Sequence, residues 1–343
     1  MSYYGTETGG VGNDDFNDGT NGAGGLFDGF YGGDGNDLLL GNSLGNTHEG
    51  GRGNDWLIGG SISNFSYTGG GTSGNPYGVN EGAAGSGADY MEGGQGRDAL
   101  YGLDGNDTLY GGDGDDSGSF QAWTGSYIHG GLYGGSGSDW MDGGNGNDIV
   151  FGGTGNDTLT GGFGVNSLYG EGGADLIYAF GNGDYADGGT EGDFMYTSLT
   201  NGATLHGNSG NDAIACGNVG SSLYGESGAD TCFGGFGADF INGGSESDAV
   251  GGYYGNDTLY GGTGGDYFNM LYDTRVGELD TIGDWNTGGA QDFLLFSAQY
   301  ASNTGWFQSG ANVYAYQTLG TGTYYVYIAN ANVANVQANT FFL

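Results

Sequence analysis

The stretch GGNGNDIVFGGTGNDTLTGG, residues 143–162, carries one nine-residue phrase twice and begins it a third time. Its template is G-G-x-G-x-D-x-U-x, with U aliphatic or aromatic. Clear copies begin at Gly9, Gly32, Gly50, Gly93, Gly134, Gly143, Gly152, Gly188 and Gly234. Looser ones begin at Ala84, Gly102, Gly111, Gly170, Ala179, Gly207, Gly225, Gly243, Gly252 and Gly261. A fixed period constrains architecture more than the propensity of any single segment does. Glycine permits tight turns and leaves backbone carbonyls open. The x-U-x that follows is a three-residue strand whose middle side chain points opposite to its neighbours. Nine residues therefore make one turn and one short strand. Two units complete a coil, and successive coils stack at roughly 4.8 Å, the strand spacing. The U residues, among them Leu39, Leu57, Leu100, Leu109, Val150, Leu159, Ile177, Leu223, Ile241 and Leu259, fill the narrow space between two sheets. Helix is a poor competitor at this glycine content.

Glycine accounts for 86 of 343 residues, a share that elsewhere signals flexible linkers or disorder. The strict period and the 26 Tyr, 18 Phe and 5 Trp oppose that reading here. Collagen is excluded because glycine does not fall at every third residue and proline occurs once. Against 41 acidic residues stand only Arg52, Arg97 and Arg275, for a net charge of −38. Phosphate contacts need basic side chains, so nucleic acid is excluded as a partner and cations are favoured. No apolar run is long enough to span a bilayer. Residues 1–25 show neither a positive start nor an apolar segment, so no cleavable secretion signal is expected. Cys216 and Cys232 are the only cysteines, and either a bridge or two small buried residues fits them.

Every second unit shares one edge of such a stack. From Asp139 the sixth positions read Asp157, Asp175, Asp193, Asp212, Asp230, Asp248 and Asp266, in steps of eighteen except for one of nineteen. The opposite edge reads Asp148, Asn166, Asp184, Ala203, Ser221, Asp239 and Asp257, with three carboxylates lost. One continuous acidic row and one interrupted row are expected.

The repeat resembles that of the RTX (repeats-in-toxin) family across most of residues 9–269. The resemblance implies an all-β fold, a parallel β-roll with a C-terminal antiparallel β cap, holding several Ca²⁺ ions between the turns of neighbouring coils. The ligands it implies are Asp14, Asp37, Asp55, Asp89, Asp98, Asp107, Asp116, Asp139, Asp148, Asp157, Asp175, Asp184, Asp193, Asp212, Asp230, Asp239, Asp248, Asp257 and Asp266. Hard oxygen donors with no His or Cys beside them suit calcium rather than zinc.

Residues 1–269 are expected to form the roll, with residues 59–83 and 117–133 looping out, and 270–343 to form the capping region. Within the latter, Asp280, Ile282, Asp284, Trp285 and Asp292 resemble the segment that closes many RTX rolls. The run TYYVYIANANV reads as antiparallel strand. The final NTFFL resembles the uncleaved C-terminal signal of type I secretion substrates, with Asn339 and Thr340 where an acidic residue commonly stands. Ahead of Gly9 nothing is large enough to cover the first coil, so an open strand edge is expected there. His48, His129 and His206 are isolated in sequence, and neither H-E-x-x-H nor G-x-S-x-G occurs. No enzymatic activity is expected. The implied protein is secreted or on the cell surface, folds on Ca²⁺ and self-associates as a surface layer, filament or matrix. The alternative is a calcium-stabilised adhesin-like module binding cell-surface polysaccharide.

Overall fold

A computed structural model describes residues 131–197, 202–271, 278–285, 291–296, 303–319 and 322–342 continuously. Between Thr6 and His129 it describes the strands, mainly by their backbone. The chain divides into two compact units, Met1–Leu176 and Ile177–Leu343. In the first, one sheet stacks Thr6–Thr8, Asp28–Asp34, Asn46–Arg52, Tyr90–Gln95, Thr108–Asp113, Trp140–Asn145 and Thr158–Thr160 in that order. Its partner sheet stacks Asp15–Asn17, Leu38–Leu40, Trp56–Ile58, Ala99–Asp104, Gly131–Ser136, Ile149–Thr154 and Ser167–Gly172. Consecutive strands of the chain alternate between the sheets, and every pairing within each sheet is parallel. This is the parallel β-roll that the nine-residue period predicts.

The register repeats the eighteen-residue spacing. Leu132 pairs with Val150, which pairs with Leu168. In the second unit Leu205, Leu223, Ile241 and Leu259 follow one another up the same column. The middle residue of each short strand is the buried one. Leu100, Leu109, Val150, Leu159, Ile177, Leu223, Ile241 and Leu259 are all fully enclosed, as are Met141, Met195 and Phe268. Their flanking side chains face outward and stack with their counterparts on the next coil. Phe151 lies between Tyr133 and Tyr169 at centroid distances of 5.1 and 4.9 Å, and His206 stacks on Tyr224 at 4.6 Å. Such cross-strand ring pairs each stabilise a sheet by up to about 1 kcal/mol.

The second unit ends in a different architecture. Thr304–Ser309, Asn312–Leu319 and Gly322–Ile328 form an antiparallel meander, whose last strand joins Leu279–Ile282 in parallel. The chain then departs from the expected strand, because Asn330 takes a left-handed φ of 54° and Asn332 caps a helix, Val333–Ala338, by accepting from the Asn335 N–H. Trp285 closes the end of the core: it lies 5.9 Å from Phe268 by ring centroids, and its indole N–H donates to Asn335 Oδ1 at 2.6 Å. Thr340–Phe342, within the signal-like NTFFL, is a strand paired in parallel with Phe293–Phe296.

Of the two expected insertions, residues 59–83 lie outside the described residues. In the other, Ser119–Gln121 and Tyr127–His129 pair antiparallel, while Gly131–Tyr133 already belongs to the roll. Cys216 and Cys232 are both buried free thiols. Burial pushes the Cys216 thiol up to about 12. Neither is expected to react with a thiol reagent while the roll is folded, and both should be labelled rapidly once it opens. Mass spectrometry after a short alkylation pulse reads this directly.

Candidate metal centre

The sixth-position aspartates sit at the turn between one strand and the next, and among the described ones none is more than 3% exposed. Within each unit the turn aspartates of the uninterrupted series use backbone N–H and one carboxylate oxygen to join successive coils. In the first unit the N–H of Asp139 donates to Asp157 Oδ1 at 2.8 Å, and that of Asp157 to Asp175 Oδ1 at 2.8 Å. The second unit repeats the contact from Asp193 to Asp212, Asp230, Asp248 and Asp266 at 2.7–3.0 Å. The aspartate carbonyls are engaged as well, for example by the N–H of Ala249 on Asp230 and of Tyr267 on Asp248, both at 2.8 Å.

The second carboxylate oxygen is left over. Oδ2 of Asp157, Asp212, Asp230, Asp248, Asp257 and Asp266 is buried with no hydrogen-bond partner among the described residues. A buried, unsatisfied acceptor costs about 1–3 kcal/mol, and more when charged. The first glycine of each repeat faces that oxygen. A Cβ on Gly243 would lie 2.5 Å from Asp248 Oδ2 and 2.7 Å from the Gly261 carbonyl oxygen of the next coil. One on Gly152 would meet Asp157 Oδ2 and the Gly170 carbonyl at 2.6 and 2.7 Å. Missing side chains thus let a carboxylate of one coil and a carbonyl of the next converge. Among the described residues no three His, Cys, Asp or Glu side chains gather at one point. Each coil supplies one carboxylate and the backbone supplies the rest, a donor set of oxygens only. Unpaired buried oxygens, a close approach of carboxylate and carbonyl that only glycine permits, and hard donors all fit calcium.

The interrupted series behaves differently. Asn166 Oδ1 takes the N–H of Asp148 at 2.9 Å, and Ser221 Oγ that of Ala203 at 3.2 Å, so these replacements keep the inter-coil bond. Asp184 Oδ2 accepts the N–H of Gly181 and Asp239 Oδ2 that of Gly235, at 2.7 and 2.9 Å, both from their own turns. At Asp184 and Asp239 turn amides thus take up the oxygen that at Asp257 of the same series has no such partner.

Two rungs escape the nine-residue count. Asp266 N–H donates to Asp292 Oδ1 at 3.1 Å, and Asp257 N–H to Asp280 Oδ1 at 2.9 Å, so both series continue into the capping region. Tyr324 O–H donates to Asp280 Oδ2 at 2.7 Å, and Asp284 accepts from the N–H groups of Gly261 and Gly262 at 3.0 and 2.7 Å. His206, isolated in sequence, pairs in register with Asp187 on the preceding coil and lies 2.7 Å from Oε1 of Glu226 on the following one. Asp14, Asp37, Asp55, Asp89, Asp98, Asp107 and Asp116 lie outside the described residues.

Glutamates recur in the turns of the uninterrupted edge. Glu171, Glu191, Glu226 and Glu246 occupy turn positions there with φ between 71 and 78°, where glycine is the unstrained choice.

Burial raises the carboxyl pKa values along the stack. Asp230 is pushed up to about 6, and Asp248 to about 7, first by burial and then by neighbouring carboxylates. Asp157, Asp212, Asp257 and Asp266 move in the same direction with burial as the main cause. Folded values above the unfolded ones mean that the metal-free roll is most stable below the ordinary carboxylate range and loses stability as pH rises towards 7. In a chelator, acidification from about pH 8 to about pH 5 is expected to increase strand content. Protons compete for the same oxygens, so the calcium midpoint should rise over that interval. Circular dichroism at each pH checks both signs.

These turns define a class: parallel solenoids whose stacked acidic turns provide oxygen sites for cations. The family model described as RTX calcium-binding nonapeptide repeat (4 copies) matches residues 40–72, 84–117, 132–159, 160–195, 221–241 and 237–268, more than half of the chain. The chain belongs to this family and carries its calcium-binding motif in multiple copies. Proteins of the family are typically secreted. Among solved structures the chain is similar to the extracellular lipase LipA from Serratia marcescens, at 13% identity and a TM-score of 0.18. That match covers 79% of this chain and 46% of the lipase, so the chain spans under half of the enzyme's length. No curated protein matches in sequence. No helix among the described residues is long and apolar enough to cross a membrane.

Proposed function

We propose that this is a secreted structural protein that folds when it meets calcium outside the cell and then self-associates. The observation that carries the reading is the file of buried Oδ2 atoms packed against glycines and next-coil carbonyls on the uninterrupted edge. We assign the ions chiefly to the Asp139–Asp266 series, each held by turn carboxylates and carbonyls of adjacent coils. Bound calcium supplies the positive charge that lets those carboxylates lie close together. Asp184 and Asp239, already bonded to their own turns, are the weakest ligands of the set.

Self-association rests on exposed apolar side chains at turns and strand faces. In the first unit Phe163 is 80% exposed and Val165 is 55% exposed; in the second Phe194 and Phe236 are 49% and 44% exposed. Contiguous apolar surface marks interaction sites, and Phe163 and Val165 place two exposed apolar side chains on one turn. The roll carries no arrangement that we assign to catalysis. Electron microscopy of the purified chain with and without calcium tests the assembly. Ordered polymers are expected at millimolar Ca²⁺, and monodisperse particles at every concentration would reject assembly while leaving calcium-driven folding intact.

A further inference from the structure

The interrupted edge carries a groove of about 510 Å³ in the second unit. It runs past five successive turns on that edge, from Asn182 and Gly183 to Asn256 and Thr258. At the strand spacing of roughly 4.8 Å, four steps give a trough about 20 Å long. It lies where the series has lost its carboxylates, at Ala203 and Ser221. Thr204, Ser222 and Thr258 line it, and their hydroxyls make no hydrogen bond among the described residues. Phe240 forms an aromatic wall, held by ring contacts to Tyr224 and Tyr260, each at 5.6 Å. Asp239 is the one charged lining residue, and its carboxylate is buried and bonded to the N–H groups of Gly235 and Ser221.

A trough with no exposed charge is unusual in a chain of net charge −38. Polyanions are repelled by the surrounding field, and no basic side chain lines the groove to hold an acidic group. Open hydroxyls, side-chain amides and an aromatic face suit a chain rich in hydroxyl groups. We propose that this groove binds a neutral linear polysaccharide lying along the roll, with Phe240 stacking on a sugar face and Thr204, Ser222 and Thr258 bonding its hydroxyls. The inference requires the calcium-folded roll but not self-association.

The test uses the full chain at millimolar Ca²⁺, with its fold monitored by circular dichroism. Isothermal titration with soluble neutral β-glucans is set beside a polyuronate of similar length. Binding of a neutral glucan is expected, with at least a tenfold loss in Phe240→Ala at unchanged strand signal. Should that variant misfold, Ser222→Trp fills the trough while leaving the wall intact, and the same loss is expected. Preference for the polyuronate, or unaltered glucan binding in both folded variants, overturns the proposal. So does a groove that no neutral glucan enters, or one whose blockage abolishes self-association instead, which would assign it to a second copy. A chain with no strand signal in calcium indicts the folding reading instead, and circular dichroism separates that failure from the others.

Discussion

In excess EGTA the chain is expected to lose most of its strand signal, and to regain it when calcium is restored to the millimolar range. The opposing terms are both large. Neighbouring ionised carboxylates one coil apart, at roughly 4.8 Å and an effective dielectric near 20, repel by about 3 kcal/mol per adjacent pair. The uninterrupted row continues from Asp193 to Asp292 in the second unit, so these repulsions accumulate along it. Ordering each backbone residue costs about a further 1–2 kcal/mol, and glycine lies at the unfavourable end of the scale. Cations that bind only the stacked state remove the repulsion and engage the unpaired oxygens, which couples binding to folding. Extracellular calcium modules typically work at about 10⁻⁴–10⁻³ M, which sets the range for the titration. Full strand signal in EGTA at neutral pH would refute this account.

Gly243→Ala should be a strongly damaging single-methyl change. The backbone there is compatible with alanine, so the effect isolates space: the new Cβ would press on Asp248 Oδ2, Asp248 Cβ and the Gly261 carbonyl together. Two of those atoms are oxygens that we assign to a cation, and the third belongs to a residue with no exposed surface. Overpacking alone costs about 1–3 kcal/mol. Loss of an ion at that rung adds to it, so the calcium midpoint is expected to rise severalfold. Ser247→Ala, on the exposed side of the same turn, removes only a 3.3 Å bond from the Gly265 N–H and should shift it far less. Equal midpoints for the two variants would show that the first glycine is not part of the site.

Much of this was legible because the period is physical. Eighteen residues make one coil, so the column containing Asp212, Asp230 and Asp248 could be written from the sequence, as could the buried column through Leu223 and Ile241. Counting by nines could not reach Asp280 or Asp292, because they stand 23 and 26 residues beyond their partners and only the folded chain brings them into line. Nor could it show that Asn166 and Ser221 keep their inter-coil hydrogen bonds, since a lost carboxylate reads as a lost contact. The helix Val333–Ala338 escaped for a local reason: in an alternating stretch, one asparagine turn and one asparagine cap redirect the chain. His206 looked solitary until the coil placed Glu226 beside it.

The glutamates in left-handed turns have a kinetic consequence. At such φ values a residue with a Cβ costs roughly 1 kcal/mol or more relative to glycine. Glu191 and Glu246 bear that cost on the edge to which we assign the cations. Their charge thickens the local ion atmosphere and so raises the encounter rate. Replacing Glu191 with glycine is expected to relieve strain in the loaded roll yet slow its capture of calcium in stopped-flow mixing, most visibly at low ionic strength; Glu246 is retained because its Oε2 accepts the Gly228 N–H of the preceding coil at 2.9 Å. A residue that strains its turn would then be the one that hastens loading.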